Sequence, residues 1–545
     1  MKVAVIGGSP AGLATLRFLA HAHEYFPIPP IQVRLFEAES QIGGTFSYRV
    51  YEDAELVSSK YLTAFSDFRL PDNAPDFVTP EVYVQYLKDY ATNFTLWPMI
   101  ERNTRVEKQG DFDWECDAVA VCSGINVNPF MPHIEGIERV PKVFHSSRLK
   151  SRDQFGENTN VYIMGAGETG MDLAYLAVTS DAKTVTLCHR DGFFCAPKII
   201  PIPQALGRST PTANKPVDTS VASLFDTAYA HPKLQKSQIL WTYYDSWIKN
   251  MHKFISGTEE GPDQWVGQMS PDRKYMDSIL LCKSDKALPY MSIGKRSQSW
   301  GNRIRSFFLN VKIENTKGKK IDVMTWPTSI DRDGNMQFDN KLPRDVTLGY
   351  IGFVRPSIGA IPPLAELQAQ LWVLHLLQHQ YPKEVPPIRD SNALESYDLD
   401  YRLHPRGNYS FYETKRAVDH ESYAYQLALD IGSAPKARSV MKKGWKVFYT
   451  WAMGSNFNTK FRMVGPWKWE QGAENIMRNE LYNIVKRSGG FVYLATYTLV
   501  PLFLFGSMSL VLYAWYAMCN YFASLFGGHS GSATNDRNAH DDRIA

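Results

Sequence analysis

The stretch Val3-Ala-Val-Ile-Gly7-Gly8-Ser9-Pro10-Ala11-Gly12 decides the fold of the N-terminal part of the chain. A short apolar run ends in a glycine-rich turn, and the helix-like segment Leu13-Ala-Thr-Leu-Arg-Phe-Leu19 follows. A second example, Val161-Tyr-Ile-Met-Gly165-Ala166-Gly167-Glu168-Thr169-Gly170, lies about 160 residues downstream. In such turns the first glycine permits a sharp bend, the second lets backbone amides approach a pyrophosphate, and the third allows close helix–strand packing. The first turn and the second turn therefore predict two dinucleotide sites and favour a redox enzyme.

The residues that follow each turn suggest which dinucleotide it holds. In the first turn Ser9 stands where the middle glycine is expected, and a small residue there can be tolerated or can crowd the phosphates. The run Ile31-Gln-Val-Arg-Leu-Phe36 ends at Glu37, whose carboxylate can accept hydrogen bonds from a ribose diol. After the second turn, Thr184-Val-Thr-Leu-Cys188 is closely followed by Arg190, and a cation there suits a ribose 2′-phosphate. This points to NADPH, with a solvated strand end as the alternative for Arg190.

Further motifs give the chain a resemblance to a known family. They are Ile42-Gly43-Gly44-Thr45-Phe46, Cys122-Ser123-Gly124, Val143-Phe144-His145-Ser146, Ser58-Ser59-Lys60, Phe461-Arg-Met-Val-Gly465-Pro466 and the segment from Leu348 to Gln368. With the two turns, they make the chain resemble the flavin-containing monooxygenases. The resemblance covers residues 1 to about 200 and patches near 345–375 and 460–475, whereas the part from about 200 to 340 carries little of it.

The resemblance implies FAD and NADPH as cofactors. NADPH would reduce the flavin, O2 would add to form a C4a-hydroperoxyflavin, and the oxygen would pass to a soft nitrogen or sulfur of a small, fairly apolar substrate. Such chemistry asks the protein mainly for positioning and exclusion of water. No residue is assigned a catalytic role. The cofactor-binding residues implied by position are Gly7, Ser9, Pro10, Ala11, Gly12, Glu37, Gly44, Thr45 and Gly124 for FAD, and Gly165, Gly167, Thr169, Gly170 and Arg190 for NADPH.

Some positions depart from the family pattern. Val57 stands where the family has an asparagine thought to lie by the flavin and nicotinamide. His145 lacks the usual Phe-x-Gly ahead of it, so a structural histidine is the alternative to a functional one. The segment Ile321–Thr328 occupies the place of an expected Ala-Thr-Gly-Tyr run. Leu149 and Lys150 stand where Baeyer–Villiger enzymes have Trp-Pro, which favours oxygenation of a heteroatom.

Three alternative functions stay open from the sequence. A Baeyer–Villiger-type monooxygenase is the neighbouring one. A membrane-anchored flavoprotein NADPH oxidase or inactive homologue is the second, because Val57 replaces the asparagine. A disulfide reductase with two dinucleotide sites is disfavoured, because the six cysteines contain no CxxC or CxxxxC pair.

Composition and residue spacing restrict the classes of binding partner that the sequence favours. With 59 Lys and Arg against 56 Asp and Glu, a net charge of +3 gives no basic field, so no nucleic-acid partner is expected. No metal site is expected either, since His375 and His379 lack the glutamate of a zinc protease between them. The cysteines show no metal-ligand spacing and fit a reducing compartment. A small-molecule substrate and O2 remain, and oligomerisation is left open.

The C-terminus predicts a membrane segment. No charged residue occurs from Phe491 to Phe526, and about 20 apolar residues suffice to cross a bilayer as a helix. The run could form one span, or two passes broken near Pro501 to Gly506, and its length favours one. Lys486 and Arg487 before it predict a catalytic part that faces the cytosol, with the endoplasmic reticulum as the expected membrane. No secretory signal is expected, because residues 2–6 already belong to the first strand.

The predicted fold class is α/β, with two Rossmann-like dinucleotide-binding domains and a C-terminal transmembrane helix. An NADPH domain is inserted into the FAD domain. The predicted bounds are 1–148 for the first part of the FAD domain, 149–330 for the NADPH domain, 331–488 for the return to the FAD domain, 489–527 for the membrane segment and 528–545 for a polar tail.

Overall fold

A computed structural model describes most of the chain outside the middle and the extreme C-terminus. The described residues are 1–107, 113–124, 129–189, 314–331, 336–338, 360–386, 420–487 and 494–526, with short pieces between 194 and 291. Arg190, the segment 348–359 and the tail from 527 lie outside the described residues.

The first sheet is parallel and has four strands. Their order is Ile100–Glu101, Gln32–Phe36, Lys2–Ile6 and Ala118–Val121. Val3 and Val5 of the central strand have no exposed surface, as an apolar run covered on both faces requires. Because the strands are parallel, their carboxyl ends share one edge of the sheet. The first turn lies at this edge.

The second sheet is a smaller example of the same design. Its parallel strands follow the order Ile321–Thr325, Thr184–His189 and Asn160–Met164. The segment that the sequence placed at the return to the flavin domain thus supplies an outer strand of this sheet. Each sheet has a glycine turn followed by a helix, which confirms the predicted α/β class with two Rossmann-like units.

The remaining elements are helices and short strand pairs. Pairs form between Phe194–Cys195 and Leu281–Cys282, Ile199–Ile200 and Lys215–Pro216, and Pro327–Ile330 and Met336–Phe338. The α-helices of the described residues are Pro10–Ala20, Thr45–Tyr48, Lys60–Thr63, Pro80–Asn93, Glu168–Thr179, Pro232–Gln235, Ile361–Gln380, His420–Ile431, Ala437–Met441, Trp445–Met453, Glu470–Arg478, Glu480–Lys486 and Val500–Phe526. The helical patterns predicted over 364–380 and 423–429 are confirmed.

Early and late parts of the chain share one core. Leu13 and Phe18, on the helix after the first turn, are buried in the same cluster as Leu367 and Leu374 of Ile361–Gln380. The indole of Trp467 meets the ring of Phe18 edge-on, with centroids 5.0 Å apart. The segment from 360 onward therefore packs on the first sheet unit, while the predicted domain bounds stay a prediction.

A buried ion network reinforces this junction. The guanidinium of Arg462 lies 3.2 Å from the Asp67 carboxylate and donates to the Ser66 hydroxyl at 2.8 Å. Glu366 accepts the Ser66 amide at 3.0 Å and the Asn458 side-chain amide at 2.8 Å. Burial and the nearby Asp67 charge raise the pKa of Glu366. The pairing is needed because unpaired charges are costly in an interior.

The C-terminus forms one continuous helical rod. The π-helical turn Leu494–Leu499 leads into Val500–Phe526 without a break at Pro501. Within the part of the chain that the structure describes, Ala495–Phe522 is the helix long and apolar enough to cross a membrane. Phe503 and Leu510 are each 71% exposed, so part of its apolar surface is open among the described residues.

Candidate cofactor site

The first turn has the backbone geometry that a pyrophosphate site needs. Gly7 has a φ of +105°, and a Cβ there would lie 2.7 Å from the carbonyl oxygen of Cys122. A Cβ on Gly12 would overlap the carbonyl oxygen of Gly7. The chain can therefore turn here and lay helix Pro10–Ala20 against the strand only with glycine at both positions. Pro10 and Ala11 form the first turn of that helix, and Pro10 suits it because its fixed φ matches the helix.

Ser9 is accommodated by turning its hydroxyl toward the protein. The hydroxyl donates to the carbonyl oxygen of Cys122 at 2.9 Å and accepts the Gly12 amide at 3.4 Å as the N-cap of the helix. A side chain held in this way points along the turn, so the geometry favours tolerance over crowding. Seen from the sequence alone, the same residue could only be called a departure from glycine.

Glu37 first organises the turn itself. One carboxylate oxygen accepts the Gly8 amide at 2.6 Å, and the other accepts the Glu39 amide at 2.9 Å. The side chain is 7% exposed. Each oxygen keeps a second acceptor direction, so the carboxylate can hold the turn and still meet a ribose diol. That second role stays a prediction.

The motif at 42–46 lies directly against the first turn. The Gly43 amide donates to the carbonyl oxygen of Gly8 at 2.8 Å. Gly44 has a φ of +57° and begins the short helix Thr45–Tyr48, and a Cβ on it would lie 3.4 Å from the Cβ of Ser9. Gly124, with a φ of +86°, is exposed at the end of the neighbouring strand. The structure thus brings Gly44 and Thr45 to the turn, as a shared flavin site requires.

The second turn repeats this geometry with open space in front of it. Gly165 has a φ of +114°, and a Cβ on Gly170 would overlap its carbonyl oxygen. Gly167 is the N-cap of helix Glu168–Thr179, which also carries Thr169 in its first turn. Of the described chain, no heavy atom lies within 4 Å of a Cβ built on Gly165 or Gly167. A cradle of this kind fits a phosphate group.

The strand that leads to Arg190 ends in a buried histidine. His189 is 2% exposed, and burial lowers its pKa to about 4, so it is neutral at physiological pH. Arg190 itself lies outside the described residues, and its assignment to the 2′-phosphate stays a prediction.

Residues around Val57 serve mainly to hold backbone in place. Val57 is half-buried. The Lys60 ammonium donates to the carbonyl oxygens of Pro71, Asp72 and Ala74 at 3.1, 2.9 and 2.7 Å. Burial lowers the pKa of Lys60, and these carbonyls compensate part of the lost hydration. The family-like Ser-Ser-Lys motif is therefore an anchor for the loop that follows it.

His145 and Asp218 each accept a hydrogen bond from a backbone amide, His145 within its own turn and Asp218 from a distant segment. His145 caps a local turn, because its Nδ1 accepts the Ser147 amide at 3.2 Å, which is the structural role left open above. Asp218 accepts the Ser59 amide at 2.6 Å across 159 positions of chain. No local sequence signal announces this contact, and sequence reasoning missed it.

Comparison with known proteins places this geometry in a family. Two parallel sheets, each with a glycine turn that leads from a strand into a helix, are the architecture of a Rossmann-type dinucleotide-binding fold. The family model described as "Flavin-binding monooxygenase-like" matches residues 1–202. The chain belongs to the flavin-binding monooxygenase family, and the predicted resemblance is confirmed.

Fungal relatives extend the match over nearly the whole chain. Monooxygenase ptmN of Penicillium ochrochloron is 41% identical over 94% of this chain and 94% of its own length. Monooxygenase PC-14 of Penicillium crustosum is 42% identical over 89% of this chain and 93% of its own length. "Dimethylaniline monooxygenase [N-oxide-forming] 2" of Pan troglodytes is 24% identical over 89% of this chain and 92% of its own length. The protein is a flavin-dependent monooxygenase, and its cofactors are FAD and NADPH.

Proposed function

We propose that this enzyme oxygenates a nitrogen or sulfur atom of a small, fairly apolar substrate. NADPH, a proton, O2 and the substrate give NADP+, water and the oxygenated product, so one oxygen atom enters the product and the other leaves as water. The observation that carries the proposal is the pair of glycine turns of matching geometry, because one chain then holds both a flavin and its hydride donor.

The first turn is the proposed FAD site. The N-terminus of helix Pro10–Ala20 would face the pyrophosphate, Glu37 would accept hydrogen bonds from the ribose, and Gly44 and Thr45 would lie beside the cofactor. When bound, the flavin supplies the redox and oxygen-activating chemistry. The protein fixes its position through the backbone of Gly7 and the capped helix.

The second turn is the proposed NADPH site. Gly165 and Gly167 leave the space for the phosphates, Thr169 stands in the first helical turn, and Arg190 would select the 2′-phosphate. The close fit of Gly170 against Gly165 keeps the helix N-terminus aimed at that space.

Positions 149 and 150 support heteroatom oxygenation over ester formation. Leu149 is 1% exposed in the second core, which is the apolar cluster of the second sheet unit. The Lys150 ammonium donates to the carbonyl oxygens of Tyr48 and Val50 at 2.7 and 3.2 Å. Both side chains therefore serve packing and loop anchoring, in the place where Baeyer–Villiger enzymes carry Trp-Pro. The N-oxide-forming relative agrees with this preference.

Product analysis with isotopically labelled O2 tests the proposal. Detergent-purified full-length enzyme receives NADPH with N,N-dimethylaniline, a methyl aryl sulfide or a cyclic ketone in parallel. A labelled N-oxide or sulfoxide is the expected product. A labelled ester from the ketone alone would establish the Baeyer–Villiger alternative, and NADPH oxidation with stoichiometric peroxide and no labelled product for any probe would establish an oxidase.

We also propose that the C-terminal helix anchors the enzyme in the membrane of the endoplasmic reticulum, with the catalytic part in the cytosol. Val500–Phe526 is about 40 Å long at 1.5 Å per residue, enough for a hydrocarbon core of about 30 Å. Leu510 and Val511 are 71% and 68% exposed, as lipid contact would allow. Lys486 and Arg487 before the helix agree with the cytosolic side.

Charge insertion tests the anchor. A Leu510→Arg, Val511→Arg pair costs about 2.5–3.5 kcal/mol per residue at a span centre, and the variant is expected to leave membranes on alkaline carbonate extraction. Asn535→Arg, in the polar tail, is the matched control and should stay bound. Equal retention of both variants would contradict a membrane span.

A further inference from the structure

Residues 51–55, called the strap below, connect two parts of the proposed flavin site. The strap follows Gly44 and Thr45 and precedes Val57 in the chain. Its side chains and backbone contact residues of the second sheet unit. The strap is thus the part of the flavin side that reaches across to the NADPH side.

Tyr51 makes the central contact of the strap. Its hydroxyl donates to the Asp172 carboxylate at 2.7 Å. Asp172 lies two positions after Gly170, on the helix that begins at the second turn. Tyr51 also packs against the second core. The Tyr51 hydroxyl, bonded to Asp172 and close to Thr169, therefore joins the loop after the flavin motif to the helix that begins at the second turn.

The environment strengthens this hydrogen bond. Desolvation by burial raises the pKa of Asp172. The hydrogen bond from Tyr51 opposes this shift most, and the Lys198 charge and a hydrogen bond with Ser284 oppose it less. Burial and the Asp172 charge raise the pKa of Tyr51, which keeps its hydroxyl protonated as the donor. A charge-assisted hydrogen bond in such surroundings is short and directional.

Ion pairs flank the Tyr51 contact and hold the strap more loosely. Arg152 lies 2.8 Å from Glu52 and also pairs with Asp53. Lys198 lies 3.1 Å from Glu55. Lys198 is buried, but Arg152 and the three carboxylates are partly exposed, and pairs that solvent screens in this way contribute about 0–1 kcal/mol each. They can keep the strap docked without fixing the distance between the two turns.

We propose that Tyr51 and Asp172 are positioning residues for hydride transfer, because their hydrogen bond fixes the distance and orientation of the first turn relative to the second turn. The inference rests on the proposed function, since it takes both cofactors at the two turns. In hydride transfer, a proton and two electrons pass together from NADPH to the flavin and leave NADP+. Transfer of this kind is sensitive to geometry, and a misplacement of about 1 Å can cost about 100-fold in rate.

Anaerobic stopped-flow reduction by NADPH tests the inference on full-length, FAD-loaded enzyme. Tyr51→Phe and Asp172→Ala both remove the hydrogen bond, and each is expected to lower the limiting rate of flavin reduction at least about tenfold. Their FAD content and dissociation constant for NADPH should stay close to wild type, and thermal unfolding should show that both variants are fully folded at the assay temperature. Asp172→Asn keeps an acceptor for the Tyr51 hydroxyl and is expected to restore the rate to within about threefold.

Tyr48→Phe is the matched control. Tyr48 ends the short helix just before the strap, and its hydroxyl accepts the Gln41 amide at 2.7 Å and donates to the Gln41 carbonyl oxygen at 2.9 Å, on the flavin side. Its reduction rate should equal that of wild type. A Tyr51→Phe rate within about twofold of wild type, or an equal loss in Tyr48→Phe, would overturn the positioning role. A wild-type flavin that NADPH does not reduce would instead overturn the proposed function, and the inference with it.

Discussion

Gly167→Ala separates the proposed NADPH site from the stability of the fold. Gly167 has a φ of −78° and a ψ of −175°, an extended conformation that alanine adopts without strain. No described heavy atom lies within 4 Å of a Cβ at this position. The methyl group therefore meets nothing in the described protein, and its expected contact is the phosphate that the second turn is proposed to bind.

The expected magnitudes follow from this geometry. Alanine is a weaker N-cap than glycine, but it also restricts the unfolded chain by about 0.4–1 kcal/mol, so the free energy of unfolding should change by less than about 0.5 kcal/mol. A methyl group forced against a bound phosphate costs about 1–3 kcal/mol. Binding of NADP+ should weaken about 5- to 150-fold.

Calorimetric titration of the FAD-loaded variant with NADP+, together with its thermal midpoint, measures both quantities. Gly170→Ala is the contrasting variant, because its Cβ overlaps the Gly165 carbonyl oxygen and should reduce stability as well as binding. An NADP+ dissociation constant for Gly167→Ala within about twofold of wild type would refute the placement of NADPH at the second turn.

Three further predictions concern the first turn and the buried charges. Gly12→Ala should raise the dissociation constant of FAD at least about tenfold, because its Cβ overlaps the Gly7 carbonyl oxygen; full flavin occupancy after dialysis would contradict this. Burial lowers the pKa of His189 from 6.5 to about 4, so below pH 6.5 the unfolded chain binds a proton that the folded chain does not. The free energy of unfolding should therefore fall as the pH drops from 6.5 to 4, by about 2 kcal/mol at pH 5. Urea denaturation at pH 7 and pH 5 should show a smaller fall for His189→Gln than for wild type, and equal falls would contradict a buried, neutral His189. Arg462→Met should cost about 3–5 kcal/mol, because it removes the guanidinium that pairs with the buried Glu366 and leaves Asp67 with Arg17 alone, at 3.6 Å; adding Glu366→Gln should recover part of that cost in thermal unfolding, and a double variant no more stable than the single would be inconsistent with the pairing.

The sequence predicted the elements whose signals are local. Both glycine turns, the helix Ile361–Gln380 and the apolar tail each carry their pattern within one short segment. The tail forms one helix despite Pro501, because the π-helical turn Leu494–Leu499 precedes the proline and passes directly into Val500–Phe526. Local chemistry was enough for these predictions.

The contacts that assemble the site could not be predicted in this way. Tyr51 and Asp172 are 121 positions apart, and Ser59 and Asp218 are 159 apart. No local pattern in the sequence indicates that either pair is in contact, because each contact depends on how distant segments of the chain pack together. Even Ser9 became interpretable only once its two hydrogen bonds were seen, because the sequence does not tell whether a hydroxyl faces the ligand or the protein.

Anaerobic titration of the purified, FAD-loaded enzyme with NADPH measures whether the bound nicotinamide reduces the flavin. A hydride carries two electrons and oxidised flavin accepts two, so one equivalent of NADPH should bleach the flavin absorbance completely, and NADH should do so far less well. A flavin that stays oxidised in excess NADPH, while dithionite still reduces it, would contradict the claim that the second turn delivers the hydride.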